Sequence, residues 1–150
     1  RGHTYAETID AVERTAKAGI RTGGHVILGL PGEEHDELMR QAAVLSELPL
    51  PTLKLHQLQL IRGTRMAHEY EQSPKDFHLY TADEYIDLVI DYVEHLRPDF
   101  VLERFVSQSP KELLIAPDWG LKNYEITERI KKRMRERATY QGRLCTKVIG

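Results

Sequence analysis

The six-residue run "HVILGL", His25 to Leu30, is closed on one side by Gly23-Gly24 and on the other by Pro31-Gly32. It is too short for the three turns of a helix, and its apolar residues are consecutive rather than alternate. That combination predicts a strand buried on both faces, as in a parallel sheet. Helical patterns flank it. Thr4-x-x-Glu7 has the form of a capping box, and Ile9, Val12, Ala16 and Ile20 follow at helical spacing up to a stop at Gly19. Glu33 to Leu48 returns to that period, with Leu38, Ala42, Leu45 and Leu48 on one side, and Pro49 and Pro51 end it.

The alternation of element types continues downstream. "TLKLHQLQL", Thr52 to Leu60, reads as a strand with Leu53 and Leu55 on one face and Lys54 and His56 on the other. Leu58 and Leu60 then take the parity of Lys54 and His56, which predicts either a bulge or the end of regular pairing near His56-Gln57. Thr81-x-x-Glu84 opens a helix whose apolar stripe, Tyr85, Leu88, Val89, Tyr92, Val93 and Leu96, stops at Pro98. "DFVLERFV", Asp99 to Val106, is a third strand. After it come a short helical "KELLIAP" and a last helix over Tyr124 to Arg137. Helices interleaved with strands require crossover connections, so the fold class is α/β with parallel strands. Three strands leave two unfinished edges, and the chain starts on Arg1 and enters a helix almost at once. The reading is a piece of a longer protein with further strands upstream. A boundary falls near Pro117 to Gly120, dividing residues 1–116 from a helical C-terminal extension over 117–150.

Composition narrows the function. Net charge is −2 from 21 basic and 23 acidic residues, which gives no global attraction for nucleic acid or an anionic membrane. One cysteine, Cys145, rules out an internal disulfide and a cysteine-built metal site within this sequence. The apolar runs fall far short of the roughly 20 residues that span a bilayer, so the expected location is the cytoplasm. The seven histidines form no His-x-x-x-His pair, and no metal ligand set is assigned. "KKRMRER", Lys131 to Arg137, reads as a solvated helix face, with RNA contact as the alternative.

The corner Gly29-Leu30-Pro31-Gly32-Glu33 sits where ligands gather in parallel α/β folds, at the C-terminal end of a strand. Its glycines permit positive φ and close backbone approach, and Glu33 and Glu34 suit the positive end of the following helix. A phosphate cradle is disfavoured, because two carboxylates repel an anion and neither Gly-Lys-Ser/Thr nor Gly-x-Gly-x-x-Gly is present. Arg62-Gly63-Thr64-Arg65 follows the second strand and is either a contact for an anionic substrate or a solvated turn. Glu103-Arg104 is either an ion pair or substrate clamp or, as favoured by neighbours pointing to opposite faces, structural.

Arg1-Gly2-His3-Thr4, "HVILGLPGE", "LKLHQLQLIRGT" and "ERFVSQSPKELLIAPDWGLKNYE", in this order, resemble the C-terminal part of radical S-adenosylmethionine (radical SAM) proteins. The resemblance runs the length of the chain and is to the YhcC-like iron–sulfur family, related to the oxygen-independent coproporphyrinogen oxidase-like and elongator-like groups. It implies the C-terminal half of a partial (βα)6 barrel, units five and six. It also implies a [4Fe–4S] cluster and S-adenosylmethionine as cofactors of the full-length protein, with neither expected on this portion alone. The sequence departs from the family by lacking the Cys-x3-Cys-x2-Cys run, since Cys145 alone cannot supply three thiolates. By the same resemblance, Gly29, Gly32, Glu33, His56 and Gln57 are cofactor-binding positions. Lys54, Arg62 and Arg104 are candidate substrate contacts, and no catalytic residue is assigned. The implied partners are the N-terminal half of the same protein, an electron donor, and a small-molecule or RNA substrate. A non-catalytic α/β ligand-binding or interaction domain is the alternative.

Overall fold

Thr4 begins the first helix by capping it: its hydroxyl accepts from Glu7 N–H, and the Glu7 carboxylate reaches back to Thr4. The structure is a computed structural model that describes residues 2–146; Arg1 and the end of the 117–150 segment lie outside the described residues. Helix α1 (Tyr5–Lys17) leads into strand β1 (Gly23–Leu28), helix α2 (His35–Glu47) and strand β2 (Thr52–Gln57). Next come a short strand β3 (Leu60–Ile61), helix α3 (Arg65–Gln72), a 3-10 turn at Pro74–Asp76 and helix α4 (Ala82–His95). Strands β4 (Val101–Arg104) and β5 (Leu114–Ala116) and helix α5 (Asn123–Glu136) complete the order.

β1, β2 and β4 form a parallel sheet in the order β1-β2-β4, with Val26 opposite Leu55 and Leu28 opposite Gln57. Val26, Leu28, Leu53 and Leu55 point to one face and are buried, and α2 and α4 cover that face. α4 is the hub of the core. Tyr85, Ile86, Val89, Ile90, Tyr92 and Val93 are all buried along it, and Ile126 and Ile130 of α5 join the same core from its far side. The basic stretch of α5 is used here: Arg133 pairs with Asp87 at 2.5 Å, and Arg137 pairs with Asp87 at 2.7 Å and with Asp91 at 2.9 Å.

Two expectations are corrected and one alternative is decided. β1 is buried on one face only, because within this chain helices cover only one side; His25 is exposed and Ile27 half-buried. Of the two alternatives for the parity change after His56, the structure has the end of regular pairing: β2 stops at Gln57, Leu58 N–H still reaches Leu28 C=O at 3.0 Å, and Leu60 belongs to β3. The bulge lies instead between Leu53 and Lys54, where Glu103 is the extra residue of β4. "KELLIAP" is a turn and a strand rather than a helix. Six residues between Pro110 and Pro117 are too few to bury a helix face, and pairing antiparallel to β3 satisfies the backbone of Leu114 and Ala116. No helix among the described residues is long and apolar enough to cross a membrane.

Candidate functional site at the strand ends

The corner after β1 is tied by its own carboxylate. Gly29 has φ +88° and Gly32 φ +81°, a region that favours glycine. Glu33 Oε2 accepts from Leu30 N–H at 2.9 Å and from Gly29 N–H at 3.2 Å. Glu33 therefore turns back to the corner instead of facing the start of α2, whose first-turn acids are Asp36 and Glu37. Burial raises the Glu33 carboxyl above its ordinary value, against the lowering effect of those two N–H groups. A Cβ at Gly29 would stand 2.8 Å from Tyr80 Cε2, so the Tyr80 ring walls one side of the corner. Tyr80 is itself held by Trp119, whose indole N–H donates to its carbonyl at 3.0 Å. At Gly32 no atom lies within 4 Å of the Cβ position, and the backbone there is open to approach.

The end of β2 is pinned to the segment after β4. Gln57 is 8 % exposed, too buried for its amide to go without partners. Its Nε2 donates to Ser107 C=O at 3.0 Å and its Oε1 accepts from Ser107 N–H at 2.8 Å. Tyr85 on α4 reinforces the same end, donating its hydroxyl to Phe105 C=O at 2.7 Å. Beside Gln57, His56 hydrogen-bonds Ser107 Oγ through Nδ1 and meets His25 Nδ1 with Nε2 at 3.2 Å. The two imidazoles are stacked, with centroids 5.2 Å apart. Burial, then the neighbouring His25, Arg104 and Lys54, hold His56 below the ordinary histidine value.

The structure thus brings Gly29, Glu33, His56 and Gln57 to adjacent ends of β1 and β2, with Gly32 on the same corner. Lys54 and His56 share the sheet face opposite the core, as their alternation predicts, and Lys54 pairs with Glu103 at 3.3 Å. The ion pair of Glu103 is thus made across strands with Lys54, not with its neighbour Arg104. Arg104 lies opposite Lys54 in register. Arg62 stands apart on the exposed turn after β3, where its N–H donates to Leu113 C=O at 2.8 Å. The next residues cap and start α3, with Thr64 Oγ1 accepting from Ala67 N–H at 3.2 Å. His25, Tyr80 and Ser107 are the site residues that sequence reasoning missed. His25 shares the parity of Ile27 and was readable from β1's alternation; Tyr80 and Ser107 lie in irregular segments without periodicity.

A concavity of about 1110 Å³ opens over this region, lined among others by His25, Ile27, Leu30, His56, Gln57 and Ser107, and by Tyr5, Ile9 and Val12 of α1. β1 is an edge strand beside it, with β2 on one side and no strand on the other among the described residues.

Comparison with known proteins gives a consistent result. The Radical_SAM C-terminal domain model matches residues 51–136. YtqA of Bacillus subtilis (strain 168) is 34% identical over 143 residues, covering 95% of this chain and 44% of YtqA. YhcC of Escherichia coli (strain K12) is 25% identical over 119 residues, covering 79% of this chain and 38% of YhcC. The archaeal Methanocaldococcus infernus Elp3 with its N-terminus deleted superposes with a TM-score of 0.78 at 17% identity, over 94% of this chain and 33% of that structure. The last shows a shared fold. The chain spans less than half the length of these relatives.

Proposed function

Because this chain belongs to the Radical_SAM C-terminal domain family, we propose that it forms one wall of the S-adenosylmethionine and substrate cavity of a longer, cytoplasmic radical SAM enzyme. On this reading residues 1–116 supply the last two βα units of a partial (βα)6 barrel, and 117–150 are a helical extension. The observation that carries it is the meeting of two strand ends on one concavity: Leu30, on the Glu33-tied corner after β1, and the Gln57–Ser107 clamp after β2 both line it. Ligands of parallel α/β folds bind at such ends.

Gly29, Gly32, Glu33, His56 and Gln57 hold S-adenosylmethionine in this proposal, Glu33 and Gln57 by fixing the backbone that meets it and Gly32 by leaving that backbone open. Lys54, Arg62 and Arg104 stand toward a substrate, a small molecule or RNA. When bound, S-adenosylmethionine supplies radical chemistry through its reductive cleavage at a [4Fe–4S] cluster. The residues of this chain do not fit that cluster. It needs three thiolates and the sequence holds one cysteine, Cys145. The cluster, and contact with an electron donor, therefore fall to the remainder of the longer protein, which is this chain's partner.

The test is S-adenosylmethionine affinity of the full-length protein with its cluster intact. His56→Ala and Glu33→Ala are each expected to weaken it about tenfold or more, equivalent to about 1.4 kcal/mol. Parent affinity in both variants, with parent iron content, overturns the proposal.

A further inference from the structure

The open face of the sheet holds a row of side chains in which His56, a proposed cofactor contact, is joined to two residues outside that set. His25 Nδ1 and His56 Nε2 are 3.2 Å apart, and His56 Nδ1 contacts Ser107 Oγ. Each contact needs one hydrogen between its two heavy atoms, and a neutral imidazole carries one N–H. The row can therefore be filled in two ways. In the first, the Ser107 hydroxyl donates to His56 Nδ1, His56 Nε2–H donates to His25 Nδ1, and His25 keeps its proton on Nε2. In the second, His25 Nδ1–H donates to His56 Nε2 and His56 Nδ1–H donates to Ser107 Oγ.

Passing from the first filling to the second moves one proton through the row. The Ser107 hydroxyl proton goes to His56 Nδ1, the His56 Nε2 proton goes to His25 Nδ1, and the His25 Nε2 proton leaves to water. Ser107 Oγ is then refilled by a proton from whatever group lies against it. Both histidines end neutral and the serine ends protonated, so the net change is one proton carried from a bound group to solvent. The reverse passage delivers one.

We propose that His25, His56 and Ser107 are a one-proton acid–base relay between solvent at His25 and an O–H or N–H group of a ligand seated beside Ser107. It rests on the reading above that this face lines a ligand cavity. Three observations support it. His25 is exposed, whereas His56 and Ser107 are partly buried, and all three line the same concavity. The backbone that carries the Ser107 hydroxyl is held in place, because the Gln57 amide bonds both its N–H and its C=O. The charges facing His56 are those of Lys54 on β2 and of Arg104 on β4, while Glu103 is engaged by Lys54. That balance favours neutral imidazole near neutral pH, the form the relay needs.

The experiment is ¹⁵N NMR of the imidazoles in this chain across a pH titration. In the parent, the ring nitrogens at neutral pH are expected to show both tautomers of each histidine in exchange, the two fillings of the row. In His25→Phe, or in His25→Asn should the first not fold, the His56 tautomer ratio changes and His56 titrates at higher pH, since the neighbouring imidazole is gone. Ser107→Ala changes the His56 tautomer ratio by about twofold or more, and Ser107→Thr, which keeps the hydroxyl, restores it. A single fixed tautomer of His56 in the parent, unmoved by these variants, overturns the relay. Neither S-adenosylmethionine nor a cluster enters this measurement, so its failure is separate from failure of the affinity test.

Discussion

At the scale of residues, the corner is held by internal contacts that limit which substitutions are informative. Gly29 combines φ +88° with the Tyr80 ring 2.8 Å from its Cβ position, so a side chain there disrupts the fold before it meets any ligand. Glu33 is the better probe. Replacing it with alanine leaves the N–H groups of Gly29 and Leu30 without their acceptor and is expected to cost about 1–3 kcal/mol in thermal or urea unfolding. Glu33→Gln behaves differently. The folded-state carboxyl is raised above 4.5, so its contribution is fully present below that pH and is lost as pH rises through the raised value. Glutamine mimics the protonated acid and keeps an acceptor oxygen. The variant should match or exceed parent stability at neutral pH, and that advantage should shrink as pH falls through the raised value and be gone below 4.5; a Glu33→Gln protein as unstable as Glu33→Ala at neutral pH would contradict this account. Sequence alone put Glu33 at the corner. It could not tell that the carboxylate folds back onto the loop, because that depends on the φ of Gly29 and Gly32 together.

At the scale of elements, what joins α2, β2 and α4 is one arginine that sequence reading passed over. Arg97 Nη1 donates to Ser46 C=O at 3.1 Å and Leu48 C=O at 2.6 Å, and Nη2 donates to Leu50 C=O at 2.5 Å. Its Nε pairs with Asp99 at 2.7 Å, and its guanidinium lies 3.9 Å above the Phe100 ring. The orphan carbonyls at the end of α2 and the entry to β2 are thus satisfied by the residue that follows α4. Hydrogen bonds to a charged donor are worth about 1.5–3 kcal/mol, so Arg97→Ala should destabilise by at least that much in denaturant titration. Arg97→Lys should recover only part of it, since an ammonium lacks the planar fork that reaches three carbonyls. Full recovery by lysine would show that charge, not geometry, matters here. Helices α2, α4 and α5 and strands β1, β2 and β4 were legible because their apolar periods are long or bracketed by glycine and proline. β5 was not, because a three-residue strand has no period and exists only through its pairing with β3.

At the scale of the molecule, the layout is lopsided. One face of the sheet is packed by α2 and α4 with α5 behind them, while the other face and the free edge of β1 border the large concavity. No residue of α1 is buried, and Tyr5 remains 65% exposed beside that edge. An unpaired parallel edge beside apolar surface promotes association. Light scattering is expected to show a mass that rises with concentration for this chain, and less so for the full-length protein; a monomer at all concentrations would mean that the edge is protected as it stands. What the sequence by itself determined is the local order of the longer elements: that α1, α2, α4 and α5 are helices and β1, β2 and β4 strands, that these strands run parallel, and that a glycine-proline corner closes β1. These follow from hydrophobic period, caps and breakers, which act over a few residues. What only the tertiary structure decided is every contact at the site between distant positions. Tyr80 over Gly29, Ser107 between His56 and Gln57, and His25 stacked on His56 join residues 31 to 51 positions apart. Such pairings depend on strand register and on the paths of irregular segments, and neither leaves a periodic trace in the chain.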